Sequence, residues 1–287
     1  MNFNLKKKSF LFKLSSPVDN ANQTYEFKTG WIFKLTNMDK GVGFGEVSPL
    51  GKKDLEICKA QINKLPEYFS SPKISECIEN FHPCIQSGIN SALAEIERKI
   101  IFEENYNFDE IYQTAILLNA NKALQELNIL KNNPKINGKK ITIKWKVGIR
   151  DNFEEEKTLT EILSQLTNNI KIRIDANGSW QREIATRWFD ILKDNKNIDW
   201  IEQPLAIDDI EGLKKLNKII PVALDESILK YPNLINEWDG WQIRRPSQER
   251  NPINLLNELK NKKSNISIST SFETGIGRRW LYHLSSL

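Results

Sequence analysis

Histidine is nearly absent from this 287-residue chain: His82 and His283 are its only two. An imidazole-built zinc centre is therefore poorly supplied, and both residues read as structural or surface side chains. Cysteine is also sparse. Cys58, Cys77 and Cys84 lack metal-ligand spacing and all lie in the first third of the chain, so the expectation is a reduced, cytoplasmic protein without structural disulfides. No apolar run approaches the roughly 18 residues of a membrane span, and the N-terminus lacks the apolar stretch and cleavage pattern of a signal peptide. An excess of one charge is missing too. The 41 basic residues against 37 acidic ones leave a net charge of +4, with the lysines spread along the chain, which describes a solvated surface and not a nucleic-acid footprint. The run Lys6, Lys7, Lys8 precedes alternating Phe10, Phe12 and Leu14 and reads as a charged edge strand.

What is present is ordinary for a globular protein: 39% hydrophobic and 27% charged residues, with a mean hydropathy of -0.49. The length suits one α/β barrel, alone or with a smaller companion domain. Residues 1–100 read as strands followed by helices, an α+β segment with turn signals at 20–22, 39–41 and 49–51. Beyond residue 112 short β-branched runs alternate with longer amphipathic stretches, the pattern of a parallel sheet with crossover helices. The spacing predicts seven strands, over Ala115–Leu118, Thr142–Val147, Ile170–Ala176, Trp200–Gln203, Val222–Leu224, Trp241–Arg244 and Ile266–Ser269. Helices are predicted between them, among them Glu154–Leu166 and Glu183–Leu192. The expected architecture is thus an α/β chain with an N-terminal α+β domain over 1–100 and a (β/α) barrel over 101–287.

Lys144 and Lys146 stand two apart on a strand, so both ammonium groups leave the same face. An exposed edge strand with alternating lysines would read the same way. Trp145, between them, must face the helices and serve as core, as should Trp31, Trp188 and Trp200. Carboxylates end the next three strands: Asp175 closes Ile-Lys-Ile-Arg-Ile-Asp, Glu202 closes Asp-Trp-Ile-Glu, and Asp225 closes Val-Ala-Leu-Asp. One such acid would be a common helix cap. Three on successive strands reach the C-terminal mouth, where barrels place their chemistry, and would repel one another without a cation. An oxygen-only site of this kind suits Mg²⁺, with Mn²⁺ as a substitute. A lysine facing a metal-polarised carboxylate can act as a general base on the adjacent carbon.

The order Lys144-x-Lys146, Asp175, Glu202, Asp225, Arg245, with steps of 29, 27, 23 and 20 residues after Lys146, resembles the muconate-lactonizing subgroup of the enolase superfamily. Within it the chain is most similar to the o-succinylbenzoate synthases of menaquinone and phylloquinone biosynthesis. Gly43-Phe-Gly-Glu-Val-Ser-Pro-Leu50 resembles their capping-domain signature and Ile268-Ser-Thr-Ser-Phe-Glu273 their seventh-strand motif. The resemblance implies a cytoplasmic hydro-lyase that dehydrates 2-succinyl-6-hydroxy-2,4-cyclohexadiene-1-carboxylate to 2-succinylbenzoate, with a small carboxylate as substrate and no nucleic-acid or membrane partner. It implies Lys146 as general base and Lys144 beside the substrate carboxylate, lowering the pKa of Lys146. Asp175, Glu202 and Asp225 are implied as Mg²⁺ ligands, Ser269 and Ser271 near the succinyl group, and Asn177 as a residue that orients the site or shapes its turn. The N-terminal domain is implied to close over the barrel mouth, with substrate preference in loops such as 16–24.

Two departures stand out. Arg245 occupies the position of the family's second catalytic lysine, and a guanidinium stays protonated; two-base racemization is disfavoured, whereas a one-base dehydration needs only a fixed cation there. The chain also stops at Leu287, short of the family's eighth strand and C-terminal tail. The alternatives are a dipeptide epimerase or N-acylamino-acid racemase of the same subgroup, and a non-catalytic barrel with a binding role.

Overall fold

In the computed structural model of the chain, residues 2–19, 24–70, 74–102, 114–134 and 138–287 are described. Of the loop 16–24, residues 20–23 lie outside the described residues. Two compact units are resolved: one formed by Met1–Ser16, Glu26–Tyr112 and Arg244–Leu287, the other by Pro17–Tyr25 and Gln113–Ile243.

The first unit begins with strands β1 (Asn2–Asp19), β2 (Thr24–Asn37) and β3 (Gly41–Val47), helix α1 (Lys52–Ile62), the short β4 (Tyr68–Ser70), and helices α2 (Ile74–Ile78) and α3 (Pro83–Ile96). The sheet order is β3-β2-β1-β4. β4 pairs with β1 only at Asn2–Asn4, so β1 is an inner strand over those residues and the run Lys6–Lys8 lies beyond that pairing. Lys7 Nζ donates to the carbonyls of Ile62 and Leu65 at 3.3 and 3.0 Å, so its charge serves the end of α1. Phe3, Leu5, Phe33, Leu35 and Val47 turn inward against Cys58, Ile62, Ile85 and Ile89. Two glycines let β3 lie directly on α3. A Cβ on Gly45 would stand 1.7 Å from the Gly88 carbonyl oxygen, and one on Gly43 2.0 Å from that of Ala92.

The second unit carries β5 (Ile116–Leu118), α4 (Ala123–Lys131), β6 (Ile141–Lys146), α5 (Asn152–Gln165), β7 (Ile170–Asp175), α6 (Arg182–Leu192), β8 (Ile198–Glu202), α7 (Ile210–Asn217), β9 (Val222–Leu224), α8 (Glu226–Lys230), α9 (Leu234–Glu237) and β10 (Trp241–Arg244). The remaining elements are α10 (Pro252–Lys260), β11 (Ile266–Ile268) and α11 (Gly275–Ser285). Strands β5 to β11 form one sheet in sequence order, the curled parallel arrangement that the alternation predicts, and each observed strand overlaps its predicted one. The outward face of these strands is apolar: Ile143, Trp145, Val147, Ile172, Ile174, Ile201, Val222 and Leu224 pack with Leu159, Ile162, Ala185, Trp188 and Phe189 from the helices. The apolar residues of α6 recur at helical spacing, which is why that segment forms a helix and why this stripe is its buried side. The other face holds a different cluster, Trp200, Ala223 and Ile243 with Trp241 packed on it. Trp200 stacks on Trp241 at 4.3 Å, and the Arg173 guanidinium lies 3.7 Å over the Trp200 ring.

The last stretch of chain builds into the first unit. Leu255, Leu256, Trp280 and Leu284 pack with Ala94 and Ile100. Arg244, 1% exposed, is gripped by Glu249 and Glu258. Among the described residues no helix is long and apolar enough to cross a membrane.

Candidate active site

Strand alternation decides which side chains meet. In β6, Ile143 and Trp145 enter the outer core, so Lys144 and Lys146 point to the opposite face. In β7 the same alternation sends Arg173 and Asp175 there, and in β8 Trp200 and Glu202. Parallel registry then aligns the ends: Lys146 is opposite Asp175, Asp175 opposite Glu202, and Glu202 opposite Ala223, two residues before Asp225. The charged side chains therefore occupy the level above the Arg173–Trp200–Trp241 stack.

At that level the Lys144 ammonium lies 2.7 Å from both Glu202 oxygens and 2.9 Å from Asp175 Oδ2. Lys146 Nζ is 3.7 Å from the same Asp175 oxygen. Asp175, Glu202 and Asp225 are 1 to 2% exposed. Burial, then the negative charge of Asp175, pushes the Glu202 carboxyl up to about 7. Burial also acts to raise Asp175, but the attraction of Lys144 and then Lys146 outweighs it and holds that carboxyl below the usual range. For Lys144 burial works against charge, and the carboxylates of Asp175 and Glu202 overcome it, so its ammonium is held on more firmly than usual. Lys144 thus sits on the acids themselves.

Two further residues belong to this cluster and escape a reading by strand ends. Glu226, first residue of α8, is lifted to about 8 by burial and by the charges of Asp225 and Asp175. Its Oε2 is buried without a hydrogen-bond partner among the described residues. Gln203 is fully buried; its Oε1 accepts from the Asp225 and Ser227 amides at 3.2 and 3.1 Å, tying the end of β8 to that of β9. Asn177 donates its amide to Asp175 Oδ1 at 3.1 Å and its Nδ2 to Glu226 Oε1 at 3.1 Å, so it both shapes the turn and holds an acid. Asn177 and Gln203 have φ of 46° and 38°, left-handed values that non-glycine residues adopt at a cost of about 1–3 kcal/mol. The sequence signal for Gln203 and Glu226 was present only as polar residues directly following the acids Glu202 and Asp225.

The donor set fits a divalent cation. Four largely buried carboxylates outnumber the two ammonium groups, one carboxylate oxygen is unsatisfied, and all candidate ligands are hard oxygens, the chemistry of Mg²⁺. Asp175, Glu202 and Asp225, the three acids that close or directly follow β7, β8 and β9, would be the residues to hold such an ion.

The other predicted residues lie in the first unit. Arg245 follows β10 and its guanidinium donates to the carbonyl of Thr270. Ser269 follows β11 and donates its amide to the Arg244 carbonyl at 2.9 Å. Ser271 is fully buried, and its Oγ has no hydrogen-bond partner among the described residues. In the glycine-rich signature, Glu46 accepts from the amides of Thr274 and Gly277, capping α11, while Glu273 takes Ser247 Oγ at 2.5 Å and Thr270 Oγ1 at 2.6 Å.

Residues 140–234 match the family described as enolase C-terminal domain-like. The chain is 28% identical over 284 residues to an o-succinylbenzoate synthase of Thermosynechococcus vestitus, covering 94% of this chain and 85% of that one. It is 26% identical over 236 residues to an L-Ala-D/L-Glu epimerase of Clostridium acetobutylicum, covering 75% and 65%. Among solved structures, o-succinylbenzoate synthase from Thermosynechococcus elongatus, with Mg in its active site, superposes with a TM-score of 0.79 at 26% identity, covering 98% of this chain and 88% of that one. Acids closing successive parallel strands, paired lysines on the strand before them and a likeness running over nearly the whole chain make it similar to enzymes of the enolase superfamily, whose C-terminal domain-like family it matches over residues 140–234.

Proposed function

We propose that this chain is a Mg²⁺-dependent o-succinylbenzoate synthase, converting 2-succinyl-6-hydroxy-2,4-cyclohexadiene-1-carboxylate to 2-succinylbenzoate and water in menaquinone or phylloquinone biosynthesis. The observation that carries the reading is the pair Lys144 and Lys146 set against Asp175 and Glu202 at the strand ends. Bound Mg²⁺ supplies positive charge to a substrate carboxylate and so stabilises the enediolate formed when the α-proton leaves. Lys146, as the free amine, takes that proton. The C–H electron pair moves into the carboxylate and then back into the ring as the C–O bond to the hydroxyl breaks. The leaving hydroxide receives the same proton from Lys146, and the ring is aromatic. Lys144 keeps Glu202 and Asp175 in place and contributes a fixed positive charge.

Arg245 enters through its motif position before Pro246: a permanent cation that cannot serve as a second base. Ser269 and Ser271 are proposed as contacts for the succinyl group. The likeness to L-Ala-D/L-Glu epimerases keeps a second reading in view, and its chemistry needs a base on each face of the α-carbon.

The test is absorbance on aromatization, with purified chain, Mg²⁺ and the cyclohexadiene. Turnover is expected, falling by about 10³-fold or more in Lys146→Ala, since general base catalysis alone is worth about 10²–10⁴. Epimerization of an L-Ala-L-Glu dipeptide in heavy water, with exchange into both epimers and no aromatic product, would replace this reading by the epimerase one.

A further inference from the structure

The first unit contains a second cluster, of soft ligands, that the proposed reaction does not use. Asp54 and Cys58 are one turn apart on α1 and so share a face. His82 is the N-cap of α3 and Cys84 lies two residues on, in its first turn. Packing α1 against the start of α3 brings one ligand atom each from Cys58, His82 and Cys84 within 4.8 Å of one another. The spacing in sequence hides this, because the two cysteines sit on different helices.

We infer that Cys58, His82 and Cys84 form a transition-metal site that takes Zn²⁺, with Asp54 orienting the imidazole. His82 Nδ1 accepts from the Cys84 amide at 3.3 Å, so the lone pair is on Nδ1 and the proton on Nε2, which is 3.3 Å from Asp54 Oδ1. A carboxylate holding the far nitrogen of a ligating histidine is the usual support of such a ligand. Tetrahedral zinc with bonds of about 2.0–2.3 Å needs ligand atoms roughly 3.3–3.8 Å apart. Closing from 4.8 Å asks about 1 Å of side-chain adjustment. The charges also balance: two thiolates and a neutral imidazole make an uncharged centre with Zn²⁺, which suits its place among the apolar core of this unit, where Cys58 and Cys84 are fully buried. Nδ1 has a single in-plane lone pair, so binding the metal releases the Cys84 amide, and the positive end of the α3 dipole faces a Cys84 thiolate. Burial also places both sulfurs beyond the reach of a bulky substrate, so the geometry serves a metal and not a nucleophile. His82 is itself half-buried beside the more exposed Asp54, giving the ion an approach from solvent. Deprotonating Cys84 forfeits its bond to Gln248 Oε1 at 3.2 Å, a weak sulfur donor exchanged for a metal–sulfur bond.

The test uses the full chain, stripped with a chelator under reducing conditions and held in excess Mg²⁺ so that the carboxylate cluster is satisfied. Titration with Co²⁺ should give the near-ultraviolet band of thiolate-to-cobalt charge transfer and the visible bands of a tetrahedral ion, at one equivalent, abolished by added Zn²⁺. Cys58→Ser should lose the band, and Asp54→Asn, a substitution at a partly exposed position, should weaken binding by about 10–100-fold. A measurement free of substitutions is alkylation followed by peptide mapping. Zn²⁺ should slow labelling of Cys58 and Cys84 in mild denaturant and leave the exposed Cys77 unchanged. Absence of a charge-transfer band at millimolar Co²⁺, its persistence in Cys58→Ser, or equal labelling of the three cysteines with and without Zn²⁺ overturns the inference.

Discussion

Replacing Gly45 by alanine asks for room that the β3–α3 contact does not have. The new Cβ would be 1.7 Å from the Gly88 oxygen, 2.6 Å from its carbonyl carbon and 3.1 Å from its Cα, and real Cβ atoms essentially never come closer than 3.0 Å to a neighbour. All three are main-chain atoms, so no side chain can swing away; β3 and α3 must part by about 1.3 Å. A gap of that size forfeits a quarter to half or more of the dispersion energy of every atom pair along it. The interface includes Val47, Ile85, Ile89 and Ala92, none of them exposed. Overpacking strain at the upper end of its usual range gives a loss of about 3 kcal/mol or more, which lowers a melting midpoint by roughly 6–12 °C. Gly51→Ala is the control. Its nearest neighbour is Asp54 Oδ2 at 3.5 Å and its φ is -78°, so it should change stability by no more than about 0.5 kcal/mol. Urea denaturation, with hydrogen exchange at α3 amides to localise the effect, reads both. Equal midpoints and equal α3 protection for the two variants would refute the close-approach argument.

Arg244→Met should cost about 3–5 kcal/mol, because it removes the buried guanidinium from Glu249 and leaves Glu258 with Lys263. The guanidinium's bonds to Glu249 are 2.8 and 2.6 Å and to Glu258 2.8 Å. Lys263→Ala, which removes a half-exposed partner of Glu258, should cost under about 1 kcal/mol; similar urea midpoints for the two would contradict this. Lys28, buried with its ammonium on the Pro49 carbonyl at 2.6 Å, is lowered by burial to about 8 from 10.5, with Glu273, Cys84 and Glu46 opposing the shift and Arg245 aiding it. The unfolded chain therefore holds this proton more tightly than the folded one. The destabilisation is present in full below pH 8 and is relieved as pH rises from about 8 to 10.5, a contribution of about 3 kcal/mol at most. Denaturation series of the parent and Lys28→Met across that window should diverge in slope, the parent gaining stability with pH relative to the variant; parallel curves would remove the assignment.

Much of the second unit was legible in the sequence because its signals are local. Each strand from β6 to β10 is a short β-branched or aromatic run ended by an acid, a turn or proline, and alternation alone separates Trp145, fully buried in the outer core, from Lys144 and Lys146 on the other face. What alternation does not carry is who pairs with whom. Lys144 lies on Glu202 and Asp175, contacts that follow from registry between β6, β7 and β8. Gln203 and Glu226 were obscured because one sits in a left-handed turn just past its strand end and the other opens a helix directly after a strand-end acid, positions that no periodicity announces. Adjacent arginines were equally opaque: Arg244 is buried between two glutamates, while Arg245 reaches a main-chain carbonyl. The cysteines were read as unrelated because ligand spacing was sought along the chain, and two helices bring them together across it.

Glu46 accepts the amides that begin α11, Arg279 of that helix reaches Glu95 at 2.6 Å, and Ala94 and Ile100 rest against Leu255 and Trp280. Segments on either side of the second unit are thus parts of a single folding unit. On the ribosome, β3 and α3 keep an apolar flank and the Glu46 carboxylate unmatched until α10 and α11 have emerged. Chaperone dependence in that interval should accordingly be decided by how quickly translation passes residue 285, and not by how quickly the first hundred residues collapse.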